Sequence, residues 1–343
     1  MRYMLKSLII TFLFSVFAIQ FYSCEWKPDP EELGIDTTNV DNQFGVGLLY
    51  GLSGPADGGL NQQAQNVIMK LRAVHSFELE AVSIFGENER YSIVSGMANS
   101  PDKDLIIGVG PEFSSVLDTM ARLHPDKKFI CLDYYSVNFD NMPPNLFGIR
   151  FADDKAAVLA GVMAGMVTKT NKVGFIGGDN STRIQGIVKE YRNGVSSVNG
   201  NATVSVMYVD TNIMGYKDEQ KGIKLADSLY KSGVDIIYHT AGVSGVGVIK
   251  SAEKNSKYAI GFGRDESFIA PGAVVGSIEK YCNTYLSDAV EKAILGNFKG
   301  GILIIGIGDG AIGYRLNENT KIPLDNLRKK LEETKTKLIK NII

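Results

Sequence analysis

The sequence is poor in residues that cross-link, ligate or switch. Three cysteines, three histidines and one tryptophan are spread over 343 residues. Cys24 lies in the N-terminal segment, which leaves Cys131 and Cys282. No cysteine pair has ligand spacing, and His75, His124 and His239 are scattered, so no metal site is expected; the two remaining thiols could pair if the protein is exported. Cys131 falls within the apolar run 129–132 and reads as a small core residue. An excess of either charge is also missing. Thirty-six Lys and Arg against 38 Asp and Glu give a net charge of −2, and a nucleic-acid partner needs a clustered basic face. Signatures of cofactor and nucleophile chemistry are absent in turn. Gly242-x-x-Gly245-x-Gly247 and Gly306-x-Gly308-x-Gly310 do not have dinucleotide-binding spacing, and there is no Walker lysine and no G-x-S-x-G elbow. No cofactor is expected.

What the chain has instead is a repeating strand–loop–helix form. Short, mainly apolar runs rich in β-branched residues fit strands buried on both faces of a parallel sheet. They occur at 44–50, 81–85, 105–109, 128–133 and 145–151, then at 172–176, 203–209, 234–239, 258–262, 276–281 and 301–307. Helical periods lie between them, beginning near Asn61 and at 88–99, 112–123, 154–167, 184–198, 218–231, 248–254, 284–296 and 324–339. The 37 glycines often follow strands, as tight loops require. This is an α/β chain of two doubly wound lobes. Ligands of such sheets bind beyond the carboxyl ends of the strands, which directs attention to the loops after 234–239 and 258–262. His239 falls at such a strand end, either as a cleft residue or as a satisfied structural histidine.

Residues 1–24 read as an export signal. Arg2 and Lys6 precede the apolar stretch Leu8–Ile19, which is short for a membrane span, and Ser23 precedes Cys24. A cysteine in that place resembles the lipidated first residue of a bacterial lipoprotein; an uncleaved anchor helix is the other reading. Residues 25–43, acidic with Pro28 and Pro30, read as a flexible tether.

Several stretches together resemble the basic membrane protein family. These are KVGFIGG (172–178), EYRNGV (190–195), MYVDTN (207–212), the long run 221–252, AIGFGRDESFIAPG (259–272) and GNFKGGILIIGIGDGAIG (296–313). LNQQ (60–63) and PDKKF (125–129) add to them. Members of that family are lipoprotein substrate-binding components of ABC transporters for purine nucleosides. The resemblance implies a type I periplasmic-binding-protein fold, with two lobes joined by three crossovers around a hinged cleft. Lobe 1 is expected at 44–149 plus 281–299, lobe 2 at 150–280 plus 300–317, and a tail helix at 318–343. It also implies a location in the cell envelope, lipid-anchored to a bacterial membrane, and an ABC permease as partner.

The pocket implied by the resemblance uses residues of both lobes. Asp57 and Asn61 in the first loop would address a base edge, or alternatively cap the helix that follows. Phe113 would stack on the base, or alternatively fill the core. Asp265 and Lys280 would bind ribose hydroxyls, and Gly242 and Gly245 would lie beside the sugar. A carboxylate suits a sugar because it accepts two hydroxyl hydrogens at once. This chain departs from the pattern at Leu60, where a stacking Phe is usual, and at Gly51 and Gly263, where carboxylates are common. Tyr50 or Phe151 would then supply the missing wall. Two further readings stay open from the residues alone. One is an exported enzyme acting on a nucleoside or sugar, with paired carboxylates drawn from Asp57, Asp133 and Asp265. The other is a receptor that signals ligand binding to a membrane partner.

Overall fold

A computed structural model describes residues 43–135 and 141–341. The expected signal segment, Cys24 and all of the tether but residue 43 lie outside the described residues. Among those described, no helix is long and apolar enough to cross a membrane.

The first lobe contains β1 (Gly45–Tyr50), α1 (Leu60–His75), β2 (Glu78–Ser83), α2 (Glu87–Asn99), β3 (Leu105–Val109), α3 (Ser114–Leu123), β4 (Lys128–Leu132) and β5 (Leu146–Phe151). The second contains α4 (Asp153–Val167), β6 (Lys172–Gly177), α5 (Thr182–Val198), β7 (Thr203–Tyr208), α6 (Glu219–Lys231) and β8 (Ile236–Thr240). It continues through α7 (Val243–Lys254), β9 (Tyr258–Gly263) and β10 (Val274–Lys280). The chain then returns to the first lobe for α8 (Asn283–Ile294) and β11 (Gly301–Ile305). It finishes in the second with β12 (Ile312–Leu316) and α9 (Asp325–Ile339).

Each lobe is one six-stranded sheet, ordered β11-β5-β4-β3-β1-β2 and β12-β10-β9-β8-β6-β7. Every pairing is parallel except that of β12 with β10. The two orders match strand for strand, so the chain folds the same doubly wound architecture twice. Central strands such as β1, β3 and β8 are buried along their whole length. The edge strand β2 exposes Glu78 and Glu80, charges that discourage pairing with another chain.

Three sequence expectations shift. The second strand runs over 78–83 rather than 81–85, because parallel pairing with β1 sets Gly45 opposite Glu78 and Tyr50 opposite Ser83. Residues 301–305, expected in the second lobe, add to the first sheet beside β5. A twelfth strand, Ile312–Leu316, closes the second sheet antiparallel to β10. The tail helix α9 is amphipathic as expected. Its Leu327, Leu331 and Leu338 are buried, and its charged residues face outward.

The lobes are joined at three places: between β5 and α4, between β10 and α8, and between β11 and β12. The Gln63 side chain fixes the second of these. Its Nε2 donates to the Lys280 carbonyl (2.8 Å) and its Oε1 accepts from the Cys282 amide (2.9 Å). Tyr281 N donates to Ala311 O (2.8 Å), and Ala152 N to Ile305 O (2.9 Å), so the three strands of the hinge are tied to one another. Cys131 and Cys282 are buried and unpaired. Burial drives the Cys131 thiol far above its ordinary pKa and that of Cys282 up to about 12, so both stay protonated.

Candidate functional site

The carboxyl ends of both sheets face one cleft of about 540 Å³ between the lobes, a size in the range of small-molecule sites. From the first lobe it is lined by the loop after β1 (Leu52, Asp57, Leu60, Asn61), the loop after β3 (Pro111, Glu112) and Asp133 and Tyr135 after β4. The second lobe contributes Asp179, Ser181, Thr182, Arg183, Tyr216, Thr240 and Gly242, with Phe262 to Arg264 and Glu266 after β9. Lys280, at the end of β10, closes the floor.

Charge at the floor is held in a compact lattice. Lys280 Nζ lies 2.9 Å from Asp133 Oδ2 and 3.1 Å from Asp153 Oδ2, over the ring of Phe151 at 4.3 Å. Only 3% of Lys280 is exposed. The same Asp153 oxygen receives Arg183 Nη1 at 3.3 Å, and Arg183 Nη2 donates to Tyr216 OH at 3.2 Å. Tyr216 OH in turn donates to Asp179 Oδ2 at 3.1 Å. Asp133 is one of few non-glycine residues at positive φ (68°), a conformation kept where surrounding contacts over-determine it. Burial pushes its carboxyl upward, but Lys280, Arg183 and Arg150 outweigh that and hold it below the ordinary range. Asp153 goes the other way. Burial and the adjacent Asp133 raise it despite Lys280 and Arg183. Arg183 is raised further by Tyr216 and the three aspartates, against the opposing effect of its burial, and stays charged at all ordinary pH.

Contacts across the mouth join the lobes a second time. The Arg264 guanidinium donates to the backbone carbonyl of Asp57 and lies over the Phe268 ring at 5.3 Å. Lys217 Nζ reaches Phe85 O at 3.4 Å and the Phe85 ring at 5.4 Å. Five carboxylates and three cations line the cleft among the described residues, so it carries net negative charge. That balance disfavours phosphorylated ligands.

Comparisons with known proteins bear on the family and the fold. The model of the Bmp family, described as ABC transporter substrate-binding protein PnrA-like, matches residues 52–343. The chain belongs to the Bmp family. Among curated relatives it is similar to basic membrane protein A of Borreliella burgdorferi, 29% identical over 82% of each chain. It is also 30% identical to the ABC transporter nucleoside-binding protein BmpA of Lactococcus lactis, over 70% of this chain and 69% of that one. Among solved structures, an ABC transporter solute-binding protein of Aeropyrum pernix superposes with a TM-score of 0.75. That likeness covers 88% of this chain and 92% of the other at 18% identity, and it places the fold as type I periplasmic-binding. The protein is thus a Bmp-family substrate-binding protein.

In this Bmp-family chain, four of the residues expected at the pocket line the cleft: Asp57, Asn61, Gly242 and Lys280. Two of them also hold backbone amides of the first loop and of the helix start, although neither is the N-cap of α1. Asp57 Oδ1 accepts from the amides of Gly59 (2.7 Å) and Gln62 (3.1 Å), and Asn61 Oδ1 accepts from Gly51 N (3.1 Å). Lys280 reaches the floor already paired, with Asp133 and Asp153. Gly51, Leu60 and Gly263, the points of departure, all line the cleft.

The other expected residues lie elsewhere. Phe113 is fully buried in the first lobe's core, where its ring fills the space left by Gly108. Tyr50 is buried at the end of β1 within the apolar core. Asp265 does not line the main cleft. Its Oδ1 accepts from Ser267 N at 2.9 Å, its Oδ2 stands 3.8 Å from Arg315, and it borders a smaller recess with Glu279 and Tyr281. Gly245 is in the first turns of α7, packed on His239; a Cβ there would stand 2.1 Å from the imidazole. His239 itself is buried, with Nε2 2.9 Å from Glu266 Oε2. The aromatic wall comes from Phe262, Tyr216 and Tyr135 rather than Tyr50, and Phe151 supports Lys280 from below.

Sequence reasoning missed Arg183, Tyr216, Glu112 and Glu266. Gly245→Ala separates packing from binding: the overlap with His239 is expected to cost about 1–3 kcal/mol. Thermal unfolding should show it as a fall of several degrees in Tm.

Proposed function

We propose that this chain is a lipid-anchored solute-binding protein that takes up a purine nucleoside or similar small polar ligand and delivers it to an ABC permease. The observation that carries the reading is the cleft itself. Hydrogen-bonding groups from separate lobes (Asn61 and Glu112 on one side, Arg183 and Thr240 on the other) converge on one space. A ligand touching both walls favours the closed form, because only that form offers both sets of contacts. Thr240 Oγ1 is buried at the cleft wall with no partner, a free group for a ligand hydroxyl. The excess of carboxylates favours an uncharged nucleoside over a nucleotide. The nucleoside-binding protein BmpA, at 30% identity, supports the same ligand class. Cys24 is the residue that would carry the lipid, which would hold the protein at the cell envelope.

Thermal unfolding with nucleosides, free bases and pentoses tests the ligand class. A nucleoside present at about 100 times its Kd should add about 2.7 kcal/mol of stability and raise Tm by several degrees. Stabilisation by none of the three classes would overturn the ligand reading.

A further inference from the structure

Glu112 is set apart from every other acid that lines the cleft. Asp57 is occupied by two amides, Asp133 by Lys280, Asp179 by Tyr216 and Ser181, and Glu266 by Phe262 N and His239. Glu112 has no cation within ion-pair distance among the described residues and, beyond its own backbone amide, no hydrogen-bond donor. Its carboxylate rests in a slot made by two residues without side chains. A Cβ at Gly51 would stand 2.4 Å from Oε1, and one at Gly110 would stand 2.2 Å from Oε2. A side chain at position 51 would therefore displace it. The acid that the family resemblance leads one to expect at 51 is replaced by one reaching in from the loop after β3.

The surroundings of the slot define what it faces. On this side the cleft is lined by the apolar side chains of Leu52, Leu60, Val109 and Pro111. Opposite lie the polar groups of Ser181, Thr182, Arg183 and Thr240. A wall where one unpaired acid stands among these apolar side chains, its neighbours Asp57 and Asp133 already occupied, suits a flat heterocycle whose faces are apolar and whose edge is polar. The polar end suits a sugar. Two carboxylate oxygens accept two parallel N–H donors, the geometry that makes guanidinium–carboxylate pairs bidentate.

We propose that Glu112 is the specificity-determining residue of the cleft, and that it selects a base whose edge presents two adjacent N–H donors, as guanine does. The inference rests on the nucleoside reading above and names its base. Glu112 is ionised in this complex. Burial is the main influence on its carboxyl, and Asp133 at the end of β4 acts in the same direction. Its own amide, Arg183 of α5 and Arg90 of α2 oppose them, leaving a value of about 7. Asp57, on the loop after β1, is held by its own two amides. Binding to the ionised form is fully available above pH 7 and is lost as pH falls through it.

Isothermal titration of guanosine, inosine, xanthosine and adenosine against the full chain and its Glu112→Gln variant decides the matter. At pH 8 guanosine should bind about tenfold more tightly than inosine, which presents one donor fewer. Lowering the pH to 6 should weaken guanosine about tenfold. Glu112→Gln should erase both the preference and the pH dependence. Glu112→Asp, which keeps the charge but withdraws it, should bind more weakly and retain the pH dependence. Thermal melts establish that both variants fold. If nucleosides bind but the ranking and pH profile are the same in wild type and Glu112→Gln, the base-edge assignment falls and the nucleoside reading stands. If no nucleoside binds the wild type, both fall.

Discussion

Lys280→Met is expected to lower the stability of the protein by about 3–5 kcal/mol, the usual result of removing one partner from a buried ion pair. Lys280 is almost fully buried and serves two carboxylates, Asp133 at 2.9 Å and Asp153 at 3.1 Å. Methionine keeps the apolar stem over Phe151 but removes the charge, and two carboxylates are then buried side by side with only Arg183 and Arg150 to balance them. The loss reaches both lobes, because Asp133 ends a strand of the first sheet and Lys280 ends one of the second. Adding Asp133→Asn to the variant should recover part of the stability, since one uncompensated charge is gone, and the double-mutant cycle measures the coupling. The pH dependence has a definite sign. Asp133 is held below its ordinary range in the wild type, so its contribution is present above the unfolded carboxylate value and lost as pH falls through the folded one. The gap between wild type and Lys280→Met should therefore narrow in acid. Urea unfolding at neutral and acid pH checks both points; an equal gap at the two would count against the lattice at the floor.

Much of the fold was legible because buried parallel strands leave a plain trace: short, mainly apolar and rich in β-branched residues. Where the trace is weak, the reading slipped. β12 carries Tyr314 and Arg315 on a strand paired on one side only, so nothing in its composition separates it from a loop. Gly245 and Gly247 fall before the helix expected at 248–254, yet both belong to α7. Gly247 is small because the Glu219 carbonyl of α6 would lie 2.1 Å from its Cβ. The site was legible where one loop holds several of its residues, as with Asp57 and Asn61. It was not legible where neighbours in sequence face opposite ways. Pro111–Phe113 is a single 3₁₀ turn that turns Phe113 onto Gly108 in the core and leaves Glu112 at the cleft. An acid directly after Gly110-Pro111 at the end of a buried strand is the signal that would have found it. Arg183 has no such signal, because what gives it a role is Asp153, thirty residues earlier and on another helix.

That pairing depends on how closely two helices approach, which makes Gly194→Val the other substitution with a large expected effect. A Cβ at Gly194 would stand 2.2 Å from the Val158 carbonyl oxygen, and one at Gly161 would stand 2.2 Å from that of Tyr191. The obstructing atoms are backbone, so no side chain can swing aside; α4 and α5 must separate. Such overpacking costs typically 1–3 kcal/mol and here should reach the top of that range, about 3 kcal/mol. Gly200→Ala, at the exposed end beyond α5 with nothing within 4 Å of its Cβ, is the matched control and should stay within about 0.5 kcal/mol of wild type. The damage reaches the cleft, because Asp153 lies in the first turn of α4 and Arg183 in the first turn of α5. Moving the helices apart lengthens their 3.3 Å contact and releases Arg183 into the ligand space. Gly194→Val protein that remains folded should therefore bind ligand more weakly than Gly200→Ala. Equal unfolding curves for the two variants would mean that the close approach of α4 and α5 does not set the position of the cleft's arginine.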